Sequence, residues 1–492
     1  MTGLEFVPGQ NVPAAYLHHV PDDREMQTTS SSQPDLVVDP ALIRKYDRQG
    51  PRYTSYPTAD RFVEAYTADV HAGWLAARSA EGQQAPLSLY VHLPFCANIC
   101  YYCACNKVIT KDHGRSAKYL RYLEREMALV SRHLTVPRCV TQLHWGGGTP
   151  TFLSDAELTD LMAMTRQYFD LDPDGEYSLE IDPRNVNPGT FSTLGKLGFN
   201  RVSIGVQDFD LAVQEAIHRV QSIEETRAAI ESARANGMHS VNVDLIYGLP
   251  KQNAAGFART LDQVIELSPE RIALYSYAHI PTMFKPQRRI LDVDMPTPDA
   301  KLALLTQAID QLTAAGYVYI GMDHFAKPDD ELNIARAQGR LHRNFQGYST
   351  RAECDLIALG ITAISTVGSI YAQNVKTLDD YYSLLDAGVL PIQRGVELNA
   401  DDLLRRAVIQ SLMCHFKIDM ASLQSAHRID FRHYFADELA DLAEFAADGL
   451  VTIDNQSITV TAKGRLLVRA IGMVFDKYLR QREQLQRFSR II

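Results

Sequence analysis

Six short apolar runs, at residues 87–93, 140–145, 177–181, 201–206, 241–247 and 272–277, each end in a glycine-rich or polar turn and lead into a helix-length amphipathic segment. Strands that alternate with helices in this way pair in parallel through right-handed crossovers, which predicts an α/β fold built as a partial, TIM-like (β/α)6 barrel. In that architecture the chemistry sits at the C-terminal ends of the strands. The distinctive polar residues fall there: Cys96 after the first strand, Gly146-Gly147-Gly148-Thr149-Pro150 after the second, Glu180 and Asp182 at the third, Gln207 at the fourth and Asp244 at the fifth.

Four cysteines lie within ten residues, Cys96-Ala-Asn-Ile-Cys100-Tyr-Tyr-Cys103-Ala-Cys105. The C-x3-C-x2-C spacing of Cys96, Cys100 and Cys103 suits a [4Fe–4S] cluster held by three thiolates, which leaves one iron open. Zinc and disulfides are the alternatives. Structural zinc takes two ligand pairs, and no second C-x2-C or H-x3-H pair follows; seven cysteines in 492 residues are few for a disulfide scaffold. Cys105, two residues past Cys103, is expected beside the cluster and not on it. Cys139, Cys354 and Cys414 read as small buried thiols.

Consecutive glycines at the second strand end would let backbone amides and carbonyls approach a charged amino-acid group. Glu180 and Asp182, two apart on a strand, share a face. There a carboxylate binds an amino group or ribose hydroxyls, or else serves a solvated turn or helix cap. His92 and His144 read as satisfied structural histidines.

A net charge of −10 argues against a general nucleic-acid or anionic-membrane surface. The first residues lack a charged leader followed by an apolar stretch, and no run approaches ~18 apolar residues, so a cytoplasmic protein without a membrane span is expected. Residues 1–40, rich in Ser, Thr, Gln and Pro, read as a flexible extension, and residues 41–370 as the catalytic domain. Residues 371–492 read as a mostly helical, winged-helix-like domain ending in a long helix over 466–479. Its acidic first half (Asp437, Glu438, Asp441, Glu444, Asp448) turns the reading away from DNA and towards a cover over the barrel mouth or a packing domain.

The cysteine spacing, with Tyr102 before the third cysteine, resembles the signature of the radical S-adenosylmethionine (SAM) superfamily. Its free iron chelates SAM, whose reductive cleavage gives a 5′-deoxyadenosyl radical. The segments Arg52-Tyr-Thr-Ser-Tyr-Pro57, Leu89-Tyr-Val-His-Leu-Pro-Phe-Cys96, Cys105-Asn-Lys107, Trp145 to Thr151, Asp244 to Pro250 and Arg343-Asn-Phe-Gln-Gly-Tyr348 narrow this. Together they resemble the oxygen-independent coproporphyrinogen III oxidase (dehydrogenase) family. One departure is Ala104, where the family pattern has glycine.

The resemblance implies oxidative decarboxylation of two propionates of coproporphyrinogen III to vinyl groups, giving protoporphyrinogen IX, with two SAM molecules in the site. The first would chelate the cluster of Cys96, Cys100 and Cys103, with Tyr90, Gly147, Glu180 and Ile364 around it. The second would lie near Tyr102, Gly148, Thr149, Gln207, Arg219, Asp244 and Ala278. Phe345 and Gln346 would stand near the substrate beside Cys105, making Cys105 and Gln346 the candidate catalytic residues. Arg52, Lys107 and Arg343 are candidate partners for the propionates, or ordinary surface charges. An electron donor such as flavodoxin or ferredoxin and a monomeric state are implied. The competing readings are a radical SAM relative that acts on haem and a haem-binding chaperone or regulator.

Overall fold

The computed structural model describes residues 36–80, 85–480 and 490, so most of the expected N-terminal extension lies outside the described residues. Order is in place by helix Pro40–Tyr46, capped by the Asp39 carboxylate.

All six expected strands form: β1 (Leu87–Leu93), β2 (Cys139–Gly147), β3 (Asp170–Ile181), β4 (Arg201–Gln207), β5 (Ser240–Tyr247) and β6 (Arg271–Ser276). They lie side by side in chain order, each parallel to the next. The crossovers are α1 (His113–His133), α2 (Asp155–Tyr168), α3 (Pro188–Leu197), α4 (Ile223–Ala235), α5 (Ala254–Leu267) and α6 (Pro298–Ala314). Local sequence starts these helices. Ser154 with Glu157 and Ser222 with Glu225 close reciprocal capping boxes on α2 and α4, and Asp112, Asn253 and Thr297 cap α1, α5 and α6.

The strands alternate strictly. Leu89, Val91, Leu143, Trp145, Leu179, Ile204, Val243 and Leu274 are fully buried in the apolar core. The intervening residues, such as Ser88, Gln142, Ser178, Ser203 and Asn242, share the opposite face. The α/β class is as expected.

The six strands are the middle of an open twelve-stranded sheet. Beyond β1 lies a further parallel strand, Asp355–Leu359, followed by antiparallel strands Ile364–Val367, Ile370–Asn374 and Ile392–Glu397. Beyond β6 lie antiparallel His324–Ala326 and Val318–Gly321. The expected domain boundary at residue 370 therefore falls inside the sheet, whose last two strands, Ile370–Asn374 and Ile392–Glu397, are joined through helix Leu378–Asp386. Beyond Glu397 helices Ala400–His415, Met420–His427 and Ala436–Ala447 pack with a three-stranded antiparallel sheet of Lys417–Asp419, Val451–Ile453 and Ser457–Val460. The expected long final helix is broken. Val468–Val474 stops, and Asp476 accepts hydrogen bonds from the N–H groups of Tyr478 and Leu479, capping the separate turn Lys477–Arg480.

Glu126 of α1 ties the crossover to the flank of the sheet. Fully buried, its carboxylate accepts hydrogen bonds from Gly360 N–H (2.7 Å), Asn374 Nδ2 (2.6 Å) and Tyr381 OH (2.6 Å). Burial pushes the group up to about 7 against those three bonds. A folded-state value above the ordinary 4.5 means that the stability lent by the neutral acid is complete below 4.5 and is lost as pH rises through about 7. In thermal melts from about pH 5 to about pH 8, the wild type should lose stability relative to Glu126→Gln as pH rises. Glu126→Leu, which strands three buried donors, should cost about 3 kcal/mol or more at every pH.

Candidate functional site

The alternation of the strands puts a polar array on one face. Ser88 Oγ donates to Gln142 Oε1 (2.8 Å), and Gln142 Nε2 to Glu176 Oε1 (3.1 Å). One step further along the strands the Tyr90 ring stacks on His144 (5.9 Å), whose Nδ1 meets Ser178 Oγ (2.7 Å). Asn242 Nδ2 donates to Ser203 Oγ and Asp244 Oδ1, both at 2.8 Å, and Ser203 Oγ donates to Asp244 Oδ2 (3.0 Å). At the C-terminal strand ends this array opens into a cavity of about 280 Å³.

All four clustered cysteines border that cavity, as free thiols. Cys96 Sγ lies 3.7 Å from Thr149 Oγ1. Cys100 is buried and receives two guanidinium groups, Arg184 Nη2 at 3.5 Å and Arg219 Nη1 at 3.7 Å. Both arginines are steered by Asp182, whose Oδ2 accepts from Arg184 (2.6 Å) and Arg219 (3.0 Å). Burial opposes the charge on Asp182, but Arg219 and Arg184 hold its carboxyl below the usual range. Asp182 also caps the short turn that follows, through Arg184 N–H. Lys107, a candidate for the substrate, instead donates to the backbone carbonyls of Cys103 (3.0 Å) and Cys105 (3.3 Å).

Gly147, Gly148 and Thr149 form the adjoining wall. Gly147 has φ +113°, and a Cβ there would stand 2.5 Å from the His92 ring; one on Gly148 would stand 2.6 Å from the Phe95 carbonyl oxygen. Close approach to the cysteine segment, and not only to a ligand, therefore requires these two glycines. Gly147 N–H donates to Glu180 Oε2 (3.0 Å). Burial works against the charge of Glu180, yet His144 and that N–H keep its carboxyl below the usual range. Asp244 behaves in the opposite way: burial, reinforced by the Glu180 charge, pushes it up to about 6. Gln207 borders the cavity at φ +70°, a conformation unusual for a side-chain-bearing residue, where the chain turns out of β4. Arg219 completes the wall, its Nη2 donating to Gly205 O (2.7 Å).

Tyr102 also borders the cavity, whereas Tyr90, Ala278, Ile364 and Gln346 do not. Tyr90 OH contacts His92 Nδ1 (3.0 Å), and His92 Nε2 meets Asn106 O (3.1 Å), so both strand-end histidines are partnered. Gln287 Nε2 joins the carbonyls of Tyr102 (3.1 Å) and Ala278 (3.2 Å), bringing the β6 turn to the cysteine loop. Ile364 packs with Phe345 and Tyr371. Gln346 sits in the hairpin of strands His342–Asn344 and Gly347–Ser349, with its Nε2 buried and unpartnered among the described residues.

Sequence reasoning missed Arg184, Ser203, Asn242 and Tyr275; for the last three the signal available was the two-residue alternation along each strand, and Arg184, in the turn after β3, had none.

No group of three His, Cys, Asp or Glu side chains closes on a single point among the described residues. A [4Fe–4S] cluster engages its cysteines through three different irons and asks only that the thiols border one cavity, so the donor set fits.

Two family models match the chain: the Radical SAM superfamily over residues 90–264 and the HemN C-terminal domain over residues 398–467. The oxygen-independent coproporphyrinogen III oxidase of Pseudomonas aeruginosa is 55% identical over 92% of this chain and 98% of its own. The Escherichia coli protein of the same name is 49% identical over 92% and 98%. The solved structure of coproporphyrinogen III oxidase (HemN) from Escherichia coli, a radical SAM enzyme, superposes with a TM-score of 0.86, 45% identity and coverage of 90% of this chain and 100% of that one. Sequence identity sustained over nearly the whole length, on the same fold, places this radical SAM enzyme in the oxygen-independent coproporphyrinogen III oxidase family.

Proposed function

We propose that this chain oxidatively decarboxylates two propionate side chains of coproporphyrinogen III to vinyl groups, each giving up a hydrogen atom to the radical from one SAM, one molecule of carbon dioxide and one electron to an acceptor, and so yields protoporphyrinogen IX. The observation that carries the reading is the cavity on which the cysteine loop, the glycine turn and the β3 to β5 strand-end carboxylates converge. When bound, the [4Fe–4S] cluster and SAM supply the electron and the hydrogen-atom abstraction that start the reaction.

The chain's own residues position the reactants and exclude water. Cys96, Cys100 and Cys103 hold the cluster, with the Arg184 and Arg219 guanidinium groups against the Cys100 sulfur. Glu180, held ionised, suits the ammonium group of the first SAM, beside Gly147, Tyr90 and Ile364. Asp244, fixed by Ser203 and Asn242, suits the ribose or ammonium of the second, with Tyr102, Gly148, Thr149, Gln207, Arg219 and Ala278 around it. Cys105 and Gln346 face the substrate. No side chain acts as a nucleophile; near-attack placement of the propionate carbon is the protein's contribution. Electrons come from a small carrier such as flavodoxin or ferredoxin to a cytoplasmic monomer. Among the described residues no helix is long and apolar enough to cross a membrane.

Anaerobic assay of cluster-loaded protein with SAM, a reductant and coproporphyrinogen III should give protoporphyrinogen IX and two carbon dioxides per substrate; SAM cleavage without decarboxylation would overturn the assignment. Serine at Cys96, Cys100 or Cys103 should abolish the iron–sulfur absorbance. Cys105→Ser should keep the absorbance while product formation falls by ~10-fold or more; loss of the absorbance would make Cys105 a ligand.

The two carboxylates should separate in equilibrium dialysis of the anaerobic holoenzyme. Asp244→Ala should lower bound SAM from two to one per chain with the cluster spectrum intact. Glu180→Ala should weaken the first SAM by ~10-fold or more and remove reductive cleavage.

A further inference from the structure

The three cations that flank the motifs have different fates in the fold. Arg52 Nη1 is spent on Asp323 Oδ2 at 2.8 Å, and Lys107 on two backbone carbonyls. Arg343 is 3% exposed, and its Nε and Nη1 have no hydrogen-bond partner among the described residues. A buried guanidinium with unpaired donors costs several kcal/mol unless an anion completes it. The guanidinium stands over an aromatic face, the Tyr348 ring 4.9 Å away.

Two more buried side-chain nitrogens without partners belong to the same region. His324 Nδ1 and Gln346 Nε2 are both buried without partners among the described residues. The His324 ring meets Tyr348 edge-on at 5.3 Å, and a Cβ on Gly347, next to Gln346, would lie 3.8 Å from His324 Nε2. Burial and then the Arg343 charge push His324 down to about 3, so it is a neutral imidazole with one N–H to give.

This group adjoins the main cavity. His324 pairs with Ala273 of β6, and Tyr275, two residues further along the same strand face, lines the cavity with its ring 6.1 Å from that of His324. Asp323, the neighbour of His324 in the chain, is already engaged by Arg52. The hairpin is braced from behind: Gln410 Nε2 donates to Arg343 O (2.8 Å), and Tyr348 OH to Met413 O (2.8 Å).

We propose that Arg343, flanked by His324 and Gln346, is a carboxylate-binding subsite that anchors one propionate of the tetrapyrrole substrate. It rests on the substrate reading given above. A planar guanidinium with unpaired N–H groups is the side chain suited to a carboxylate, and an uncharged ester or amide forgoes the charge-assisted part of that interaction.

The test uses anaerobic cluster-loaded protein and two probes read by fluorescence quenching, coproporphyrin III and its tetra-amide. The wild type should prefer the tetra-acid. Arg343→Met should weaken the tetra-acid by ~10- to 100-fold and leave the amide unchanged. Its cluster absorbance and substrate-free SAM cleavage should match the wild type. Wild-type affinity of Arg343→Met for the tetra-acid, or an equal loss for both probes, would overturn the subsite. If Arg343→Met fails to take up the cluster, Arg343→Lys decides: it keeps the charge but not the planar donor pair, and should lose several-fold on the tetra-acid alone; unchanged affinity would overturn the subsite. A wild type that ignores coproporphyrin III altogether would instead bring down the substrate assignment on which the subsite rests.

Discussion

The register of six parallel strands is the constraint on which the rest depends. Parallel sheets covered by helices are usually apolar on both faces. Here one face is apolar against α1 to α6, and the other carries Gln142, His144, Ser178, Glu180, Ser203, Asn242 and Asp244. Those side chains are tolerated because parallel pairing sets partners opposite one another: Tyr90 with His144, His144 with Ser178, Ser203 with Asn242. These contacts run between adjacent strands, so the array both satisfies its polar atoms and favours the pairing. A slip of one residue would carry the whole polar set into the apolar layer. The site at the strand ends is the last step of the same array.

The flanking segments hold that array in place. Arg52 reaches Asp323 beyond β6, Tyr53 OH donates to Asp476 Oδ2 (3.1 Å), and Lys477 N–H donates to Tyr56 OH (3.2 Å). Arg469 donates to Pro51 O (3.0 Å) and to Gly50 O. The stretch before β1 is thus a strap between the far edge of the sheet and the C-terminal helices. Burial pushes Asp476 up to about 6, which makes this strap one of the places where the fold gives up stability to position a chain. Helix Ala400–His415 in turn supports the Arg343 hairpin, so the C-terminal region acts on the site as packing behind a loop.

Much of this was legible in the sequence because it is local. Strand ends follow from apolar runs and their turns, the four cysteines from spacing, and the capping boxes from Ser and Glu three residues apart. What was not legible depends on pairing across long separations. Asp355–Leu359 joins β1 from more than two hundred residues away, which is why the boundary expected at 370 was cut through a sheet. Arg184 carries no motif and becomes significant only when Asp182 aims it at Cys100. The final helix breaks because the Asp476 carboxylate caps the next turn and meets Tyr53, a contact across 423 positions.

Two strand ends are locked into one piece where the chemistry is placed. Gly148 N–H donates to Leu93 O (2.8 Å) and Thr149 N–H to Phe95 O (2.9 Å), so the glycine turn continues the pairing of β2 along the segment that enters the cysteine loop. On the other side Val108 N–H donates to Pro94 O (2.7 Å) and Thr110 N–H to Cys96 O (3.0 Å). Backbone bonds thus grip Cys96 from two directions, and no side chain at 147 or 148 would fit between. An ångström of misplacement can cost a positioned reaction ~100-fold, so a loop that would otherwise be among the most mobile parts of the chain is built into the sheet. The glycines serve the enzyme first by letting two backbones touch, and the ligand-facing backbone they expose is a consequence of that contact.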